Sequence, residues 1–467
     1  MAPGFIPIGP VAIAPGLAAF DNKPIMFLRF LPVILVLAPA APAQDIAAKA
    51  DQFVQAAVTR QRFQGSVLVA WDGKPLFRKS YGLADVEWDV PNTPDTKFRL
   101  GSITKQFTSA LIMQLVEQGK VKLDDSIRKY YTDAPEAWQP VTIHHLLCHE
   151  SGIPSYTELP GFFEKQAGTA RTPLEIIQLT RDKPLEFAPG TQFKYDNTGY
   201  ILLGYVIEKV TGKTYEEQLH QAILDPLGMK DTGFDHYTSI LHHRAEGYQN
   251  QDGKLTRAPF LDMSLPYAAG SLYSTVDDLL KWDQALYGTR VLSEASEKKI
   301  WTPNLNDYGY GWFIARRFKE DTVEHGGGIN GFNTMIIRVP AKKLLTVVLA
   351  NANTQETGAL AAGLLGIALG QPEDPTKART RIPLSAEAMK PFEGVYAANP
   401  SFKLTVKVEG DHLSAQATGQ GAVRLDPMSP TRFFNDPING EIEFAKDGSL
   451  LTLYQNGASM KFVREQK

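Results

Sequence analysis

Two stretches of strand-like sequence frame a long helical one, and this arrangement restricts the fold more than any other feature of the chain. Residues 64–82 read as a hairpin, with Ser66-Val67-Leu68-Val69-Ala70-Trp71, a turn at Asp72-Gly73, and a return from Pro75 to Ser80. Strands return at Tyr310–Ala315, Thr322–His325, Thr334–Val339 and Leu344–Leu349, followed by a helix at 357–369. Between them, apolar residues recur at helical spacing around 102–118, 141–148, 173–180, 198–211, 214–224 and 275–287. The expectation is an α/β fold: one antiparallel sheet built from both chain ends, flanked by helices, with the middle of the chain forming a helical lobe.

At 467 residues the chain exceeds most single cores, so a second, smaller domain is expected. The segment 371–390 is rich in proline and charge and reads as a linker after a domain spanning 44–370. Beyond it, short alternating runs at Gly394–Ala398, Phe402–Val408, His412–Ala417, Ala422–Leu425, Arg432–Phe434, Glu441–Phe444, Leu450–Tyr454 and Met460–Val463 predict an eight-stranded all-β barrel over 391–467. It is read as a filled, stabilising accessory domain rather than a ligand holder.

The N-terminal residues 1–43 read as a targeting segment. Met26-Phe27-Leu28-Arg29-Phe30, the apolar run Leu31 to Leu37, and Ala41-Pro42-Ala43 have the order of a secretory signal, with Met26 as the expected start and cleavage after Ala43. The apolar run is shorter than the roughly 20 residues that span a bilayer, so export to the periplasm or medium, with no membrane span remaining, is expected. A net charge of −3 without a long basic run gives no footprint for nucleic acid. The single cysteine, Cys148, excludes an internal disulfide.

Chemistry is concentrated at Ser102-Ile103-Thr104-Lys105, where the extended Lys97–Leu100 turns at Gly101 into an apolar helix. Residues three apart share a helical face, so Lys105 reaches the Ser102 hydroxyl, and the first-turn N–H groups surround the point where negative charge would develop. A lysine kept neutral by burial is a proton acceptor for the serine. Spacing alone does not carry the assignment, because Ser296-Glu297-Lys298-Lys299 repeats it in a charged helix read as solvated. What distinguishes Ser102 is the apolar stripe Ile103, Phe107, Ala110, Leu111 and Leu115 behind it. The bland alternative is an N-capping serine beside a surface lysine.

Two more motifs fit the same site. In Tyr195-Asp196-Asn197 the alternate residues point one way, so the phenol and the amide can both face Ser102, and a phenol beside an ammonium loses its proton more easily. Tyr248-Gln249-Asn250 and Tyr454-Gln455-Asn456 repeat the pattern and are read as surface residues. His325-Gly326-Gly327-Gly328 ends a strand, where glycines let a substrate lie along the backbone and free N–H groups for an oxyanion.

The order Ser-x-x-Lys, Tyr-x-Asn, His-x-Gly, together with Val141–Pro154, resembles the penicillin-recognising serine hydrolases related to class C β-lactamases, over about residues 50–370, with a lipocalin-like barrel appended. The resemblance implies an acyl-enzyme acting on a small-molecule or peptide ester or amide, without metal or organic cofactor. It implies Ser102 as nucleophile, Lys105 and Tyr195 as proton carriers, Asn197 on the substrate amide, His325, Gly326 and Gly327 along the substrate, and an oxyanion hole of the Ser102 and Gly328 N–H groups. Where the β-lactamases carry Lys-Thr-Gly, this chain has His325, Gly326 and Gly327, which weakens carboxylate binding and points to a D-amino-acid peptidase, carboxypeptidase or esterase. A true β-lactamase and an acylated sensor without turnover are the alternatives. Zinc hydrolysis at His145 and His149, four apart with His144, Cys148 and Glu150 adjacent, lacks the His-Glu-x-x-His pattern and a third ligand. Nothing in the sequence sets the oligomeric state.

Overall fold

The computed structural model of the chain describes residues 41–60, 63–251, 254–353, 356–371, 380–399, 402–418, 421–435, 440–455 and 457–465. Most of the expected targeting segment and the middle of the expected linker lie outside the described residues; the expected cleavage point falls in the first turn of the first helix.

The two sets of strands join in one sheet. Strands β1 (Gly65–Trp71) and β2 (Lys74–Tyr81) form the hairpin, and β3 (Phe313–Arg317), β4 (Glu320–Ile329), β5 (Phe332–Val339) and β6 (Leu344–Ala350) complete the order β3-β4-β5-β6-β1-β2. Every pairing is antiparallel, and the chain ends meet in register from Gly65 opposite Ala350 to Trp71 opposite Leu344. Helices α1 (Ala41–Thr59), α2 (Thr104–Glu117), α3 (Asn197–Thr211), α4 (Val276–Ala285) and α5 (Glu356–Ala368) build the layers around it.

Alternation along the strands assigns side chains to two cores. Leu68 and Ala70 of β1 join Leu345, Val347 and Leu349 of β6 in the core shared with the helical lobe, whereas Val67 and Val69 join Leu344, Val348 and Ala350 against α1 and α5. Burial on both faces is why Val67-Leu68-Val69-Ala70 is apolar at every position.

Several expectations shift by the physics of particular residues. The helix after Leu100 begins late: Gly101–Ile103 is a 3-10 turn and α2 starts at Thr104. The glycines after His325 do not end a strand, because β4 runs through them to Ile329 in register with β5. The second Ser-x-x-Lys serine is not solvated: Ser296 and Glu297 are buried, Ser296 N–H donates to the capping Ser293 hydroxyl, and of the four motif residues only Lys298 and Lys299 face solvent. Tyr248 is likewise buried rather than superficial, its hydroxyl accepting from Val86 N–H at 2.8 Å, while Tyr454 is exposed.

The C-terminal strands close an eight-stranded barrel from Gly394–Asn399 to Ala458–Arg464. A short helical turn inserts Met389 and Phe392 among Tyr396, Phe433, Phe444 and Phe462, with the Phe392 and Phe444 rings stacked at 4.5 Å. Side chains therefore occupy the interior. The barrel meets the sheet at the β3–β4 turn, where Phe318 N–H donates to Gly457 O at 2.9 Å, and Ala41–Lys467 forms one compact unit.

Candidate active site

Ser102 sits on a turn clamped between β4 and the strand Leu272–Ser274. Gly101 has φ +56°, and a Cβ there would lie 3.0 Å from Gly328 N; a Cβ on Gly327 would lie 1.9 Å from Leu100 O. Only glycine permits this approach at both places. Leu100 N–H donates to Leu272 O at 2.7 Å, and Thr334 Oγ1 donates to Leu100 O at 2.7 Å. No side-chain bond caps the start of α2, so Ser102 is not there to cap a helix.

Lys105 is completely buried under the serine. Its Nζ lies 3.1 Å from Ser102 Oγ, 2.9 Å from Asn197 Oδ1 and 2.9 Å from Ala269 O. Burial lowers its pKa to about 7, against the opposing pull of the Asp196 carboxylate. A neutral amine has two N–H bonds and one lone pair, and two carbonyl oxygens take the first two. The lone pair is then left for the Ser102 O–H.

Tyr195 lies over the same amine, its ring centroid 4.7 Å from Lys105 Nζ. Its hydroxyl is buried and faces Ser102 without a well-aligned hydrogen bond. The expectation of an easily ionised phenol is reversed here: burial pushes the Tyr195 pKa up, and the Ser102 hydroxyl opposes this only in part. Asn197 opens α3 with both ends of its amide engaged, Oδ1 by Lys105 and Nδ2 by Thr157 Oγ1 at 3.1 Å. It orients the lysine as well as bordering the cleft.

The third motif departs from expectation. A cleft of about 380 Å³ opens beside Ser102, and of His325 to Gly328 only Gly328 lines it. His325 is buried behind, Nδ1–H donating to Gly326 O at 2.6 Å, which leaves Nε2 to accept from the Tyr308 hydroxyl at 3.0 Å. Burial and the nearby Lys105 charge lower its pKa to about 3, so the ring is neutral. It therefore supports the site from behind, and Gly327 admits the close approach of Leu100 O, while a Cβ on Gly326 would meet only ordinary contacts at 3.5 Å. Strand β3 stops pairing at Glu324, leaving the far edge of 325–329 uncovered by it.

Three further groups complete the site, of which the sequence singles out only His149, and that as a zinc ligand. Asp196 caps α3 through Gly199 N–H and accepts from Ser151 Oγ; burial raises its pKa to about 7, opposed by these bonds and by Lys105. His149 stacks on Tyr195 at 4.2 Å and accepts from Asp196 N–H at 3.0 Å; burial first, then the Lys105 charge, hold its pKa well down. Tyr308 packs at 4.7 Å on His149. The signal for Asp196 is its place inside Tyr-x-Asn; the spacing of His149 from His145 points only to a metal. His144 bonds the Tyr310 hydroxyl and His145 closes the capping box on Thr142, and no group of metal-ligating side chains occurs among the described residues.

A serine paired with a buried lysine at the join of an antiparallel sheet and a helical lobe defines a serine hydrolase. The chain belongs to the β-lactamase family, whose model matches residues 50–369. It is 29% identical over 436 residues to penicillin-binding protein 4* of Bacillus subtilis (strain 168), covering 87% of this chain and 96% of that one. Among solved structures it resembles the octameric penicillin-binding protein homologue from Pyrococcus abyssi, at 30% identity and TM-score 0.66 over 89% of this chain and 99% of that one. It also resembles the D-amino acid amidase from Ochrobactrum anthropi SV3, at 26% identity and TM-score 0.62 over 70% of this chain and 98% of that one. No described helix is long and apolar enough to cross a membrane.

Proposed function

We propose that the chain hydrolyses an ester or amide through an acyl-enzyme on Ser102, acting on D-amino-acid derivatives or small esters rather than on penicillins. The observation that carries this is Lys105, fully buried, with a pKa near 7 and bonded to the Ser102 hydroxyl. The neutral amine takes the Ser102 proton as Oγ attacks the carbonyl carbon, and the N–H groups of Ser102 and Gly328 receive the developing oxyanion. The Tyr195 phenol, protonated at rest, gives its proton to the leaving oxygen or nitrogen and regains one from Lys105 as the carbonyl reforms. Water then adds to the acyl-enzyme by the same path in reverse, freeing the acid and returning the proton to Ser102.

The preference against penicillins is supported by the neutral, enclosed His325, which offers no charge to a drug carboxylate. The unpaired end of β4 at Gly328 and Ile329, which lines the cleft, suits an extended acyl donor lying as an added strand. We also propose export, on the basic, apolar and small-residue order of Met26 to Ala43. The test is intact-mass spectrometry after a fluorophosphonate: one adduct on the wild type and none on Ser102→Ala. Equal labelling of the two would remove Ser102 as nucleophile.

A further inference from the structure

The cleft beside Ser102 is lined by no carboxylate, amine, guanidinium or imidazole among the described residues, and its one phenol, Tyr156, is held protonated by burial. On the helical-lobe side, Phe162 and Phe163 meet edge to face at 5.3 Å, and Tyr156 meets Phe162 in the same way at 5.1 Å; Leu261 and Leu265 continue this apolar wall. On the strand side stand three carboxamides. Gln249 and Asn353 are register partners in a parallel pair, and Asn330 lies in the turn after β4, its amide donating to Pro259 O.

Three of the cations around it are already committed, and Lys165, on the helix that carries Phe162 and Phe163, is exposed to solvent. Lys105 is bound by Ser102, Asn197 and Ala269 beneath the floor, Lys194 is held by Glu158 and Glu186, and Arg257 by Glu87 and Glu246. A carboxylate brought into such a cleft is desolvated without a partner, and so is an ammonium. Carboxamides donate and accept equally well, so they match amides, esters and hydroxyls and discriminate against either charge.

We infer that the substrate is uncharged on both sides of the scissile bond, carrying an aromatic or branched apolar group against Phe163 and a neutral polar group against Gln249 and Asn353. This rests on the acyl-enzyme reading above and narrows it: a carboxypeptidase substrate would place a free carboxylate here, and an aminopeptidase substrate a free ammonium.

Three thioesters that place a charge on neither side, or on one or the other side, of the scissile bond test it, each read by released thiol after correction for spontaneous hydrolysis. They are N-acetyl-phenylalanyl thioglycolamide, the thioglycolic acid analogue, and the unacetylated analogue, each in both configurations. The neutral compound is expected to exceed each charged one in kcat/KM by at least about tenfold, the scale of one lost charge-assisted bond. Asn353→Lys is expected to narrow the gap for the carboxylate, Gln249→Glu the gap for the ammonium, and Phe163→Ala to lower the ratio of phenylalanyl to alanyl turnover. Equal or better turnover of a charged thioester by the wild type overturns the inference, as does a charge gap that neither substitution changes. Any compound not turned over is scored by its protection of Ser102 against the fluorophosphonate, under the same criteria. Labelling without charge discrimination sinks this inference alone, whereas absence of labelling sinks the acyl-enzyme reading beneath it.

Discussion

The burial of Lys105 sets a pH profile that can be worked out in advance. An ordinary lysine near 10.5 leaves only about one amine in 3,000 neutral at pH 7, whereas a pKa near 7 leaves about half neutral, a gain on the order of a thousandfold in the reactive form. The labelling rate of Ser102 by a fluorophosphonate is therefore expected to fall about tenfold per pH unit below 7, to roughly a hundredth of its plateau at pH 5, and to level off above about pH 8. Asp196 also titrates near 7 and is coupled to Lys105, so the limb belongs to the pair. Asp196→Asn removes the charge that holds the lysine pKa up, and the acid limb moves to lower pH. Stability follows the same groups. Between 7 and 10.5 the unfolded chain binds the extra proton at Lys105, so stability rises with pH; between 3.8 and 7 the folded chain binds it at Asp196, so stability falls. The two place a stability minimum near neutrality, which Lys105→Met with Asp196→Asn is expected to flatten in urea titrations across pH. A labelling rate independent of pH between 5 and 8, or one that begins to rise only above pH 9, refutes the argument.

The parts of the molecule that were legible in the sequence are those governed by local periodicity. The β1 hairpin, β5, β6 and the barrel strands fall within a few residues of their expected bounds because alternation and turn residues fix them. Ser102, Lys105, Tyr195 and Asn197 converge because short motifs at an element boundary dictate direction. What failed depends on long-range packing. The pKa of Tyr195 follows its burial, which the spacing of Tyr-x-Asn does not encode. His325 looked like a cleft residue because glycines follow it, yet those glycines continue β4 and the ring turns to Tyr308, a partner distant in the motif reading. Tyr248 and Ser296 looked superficial in polar surroundings, but a β pairing and a helix packed on α2 bury them.

Lys105→Ala and Tyr195→Phe are each expected to lower ester turnover by about a hundredfold or more, and the double variant by much less than the product, because one proton path is lost once. Tyr454→Phe, on the exposed barrel surface, is the control; fully multiplicative losses would separate the two residues. Arg338 and Asp283 form an ion pair of two fully buried side chains, 2.5 Å apart, with the guanidinium set among Tyr287, Trp301 and Trp312. Arg338→Met leaves Asp283 buried and unpaired and is expected to cost about 3–5 kcal/mol in urea unfolding, most of it recovered by adding Asp283→Leu; a cost below 1 kcal/mol for the single variant contradicts this. Finally, the barrel has its own core, and its aromatic residues fill it without help from the sheet. Its contact at Phe318 and Gly457 lies at the tip of the β3–β4 turn, while Ser102 is held by the opposite end of β4, at Gly327 and Gly328. Deleting residues 371–467 is therefore expected to leave a cooperatively melting protein that still labels at Ser102 and hydrolyses a small neutral ester, with Phe318 and the outer edge of β3 newly exposed. A truncated chain that shows no thermal transition would mean that the barrel supports the sheet through β3, and that the edge strand needs this cover to pair.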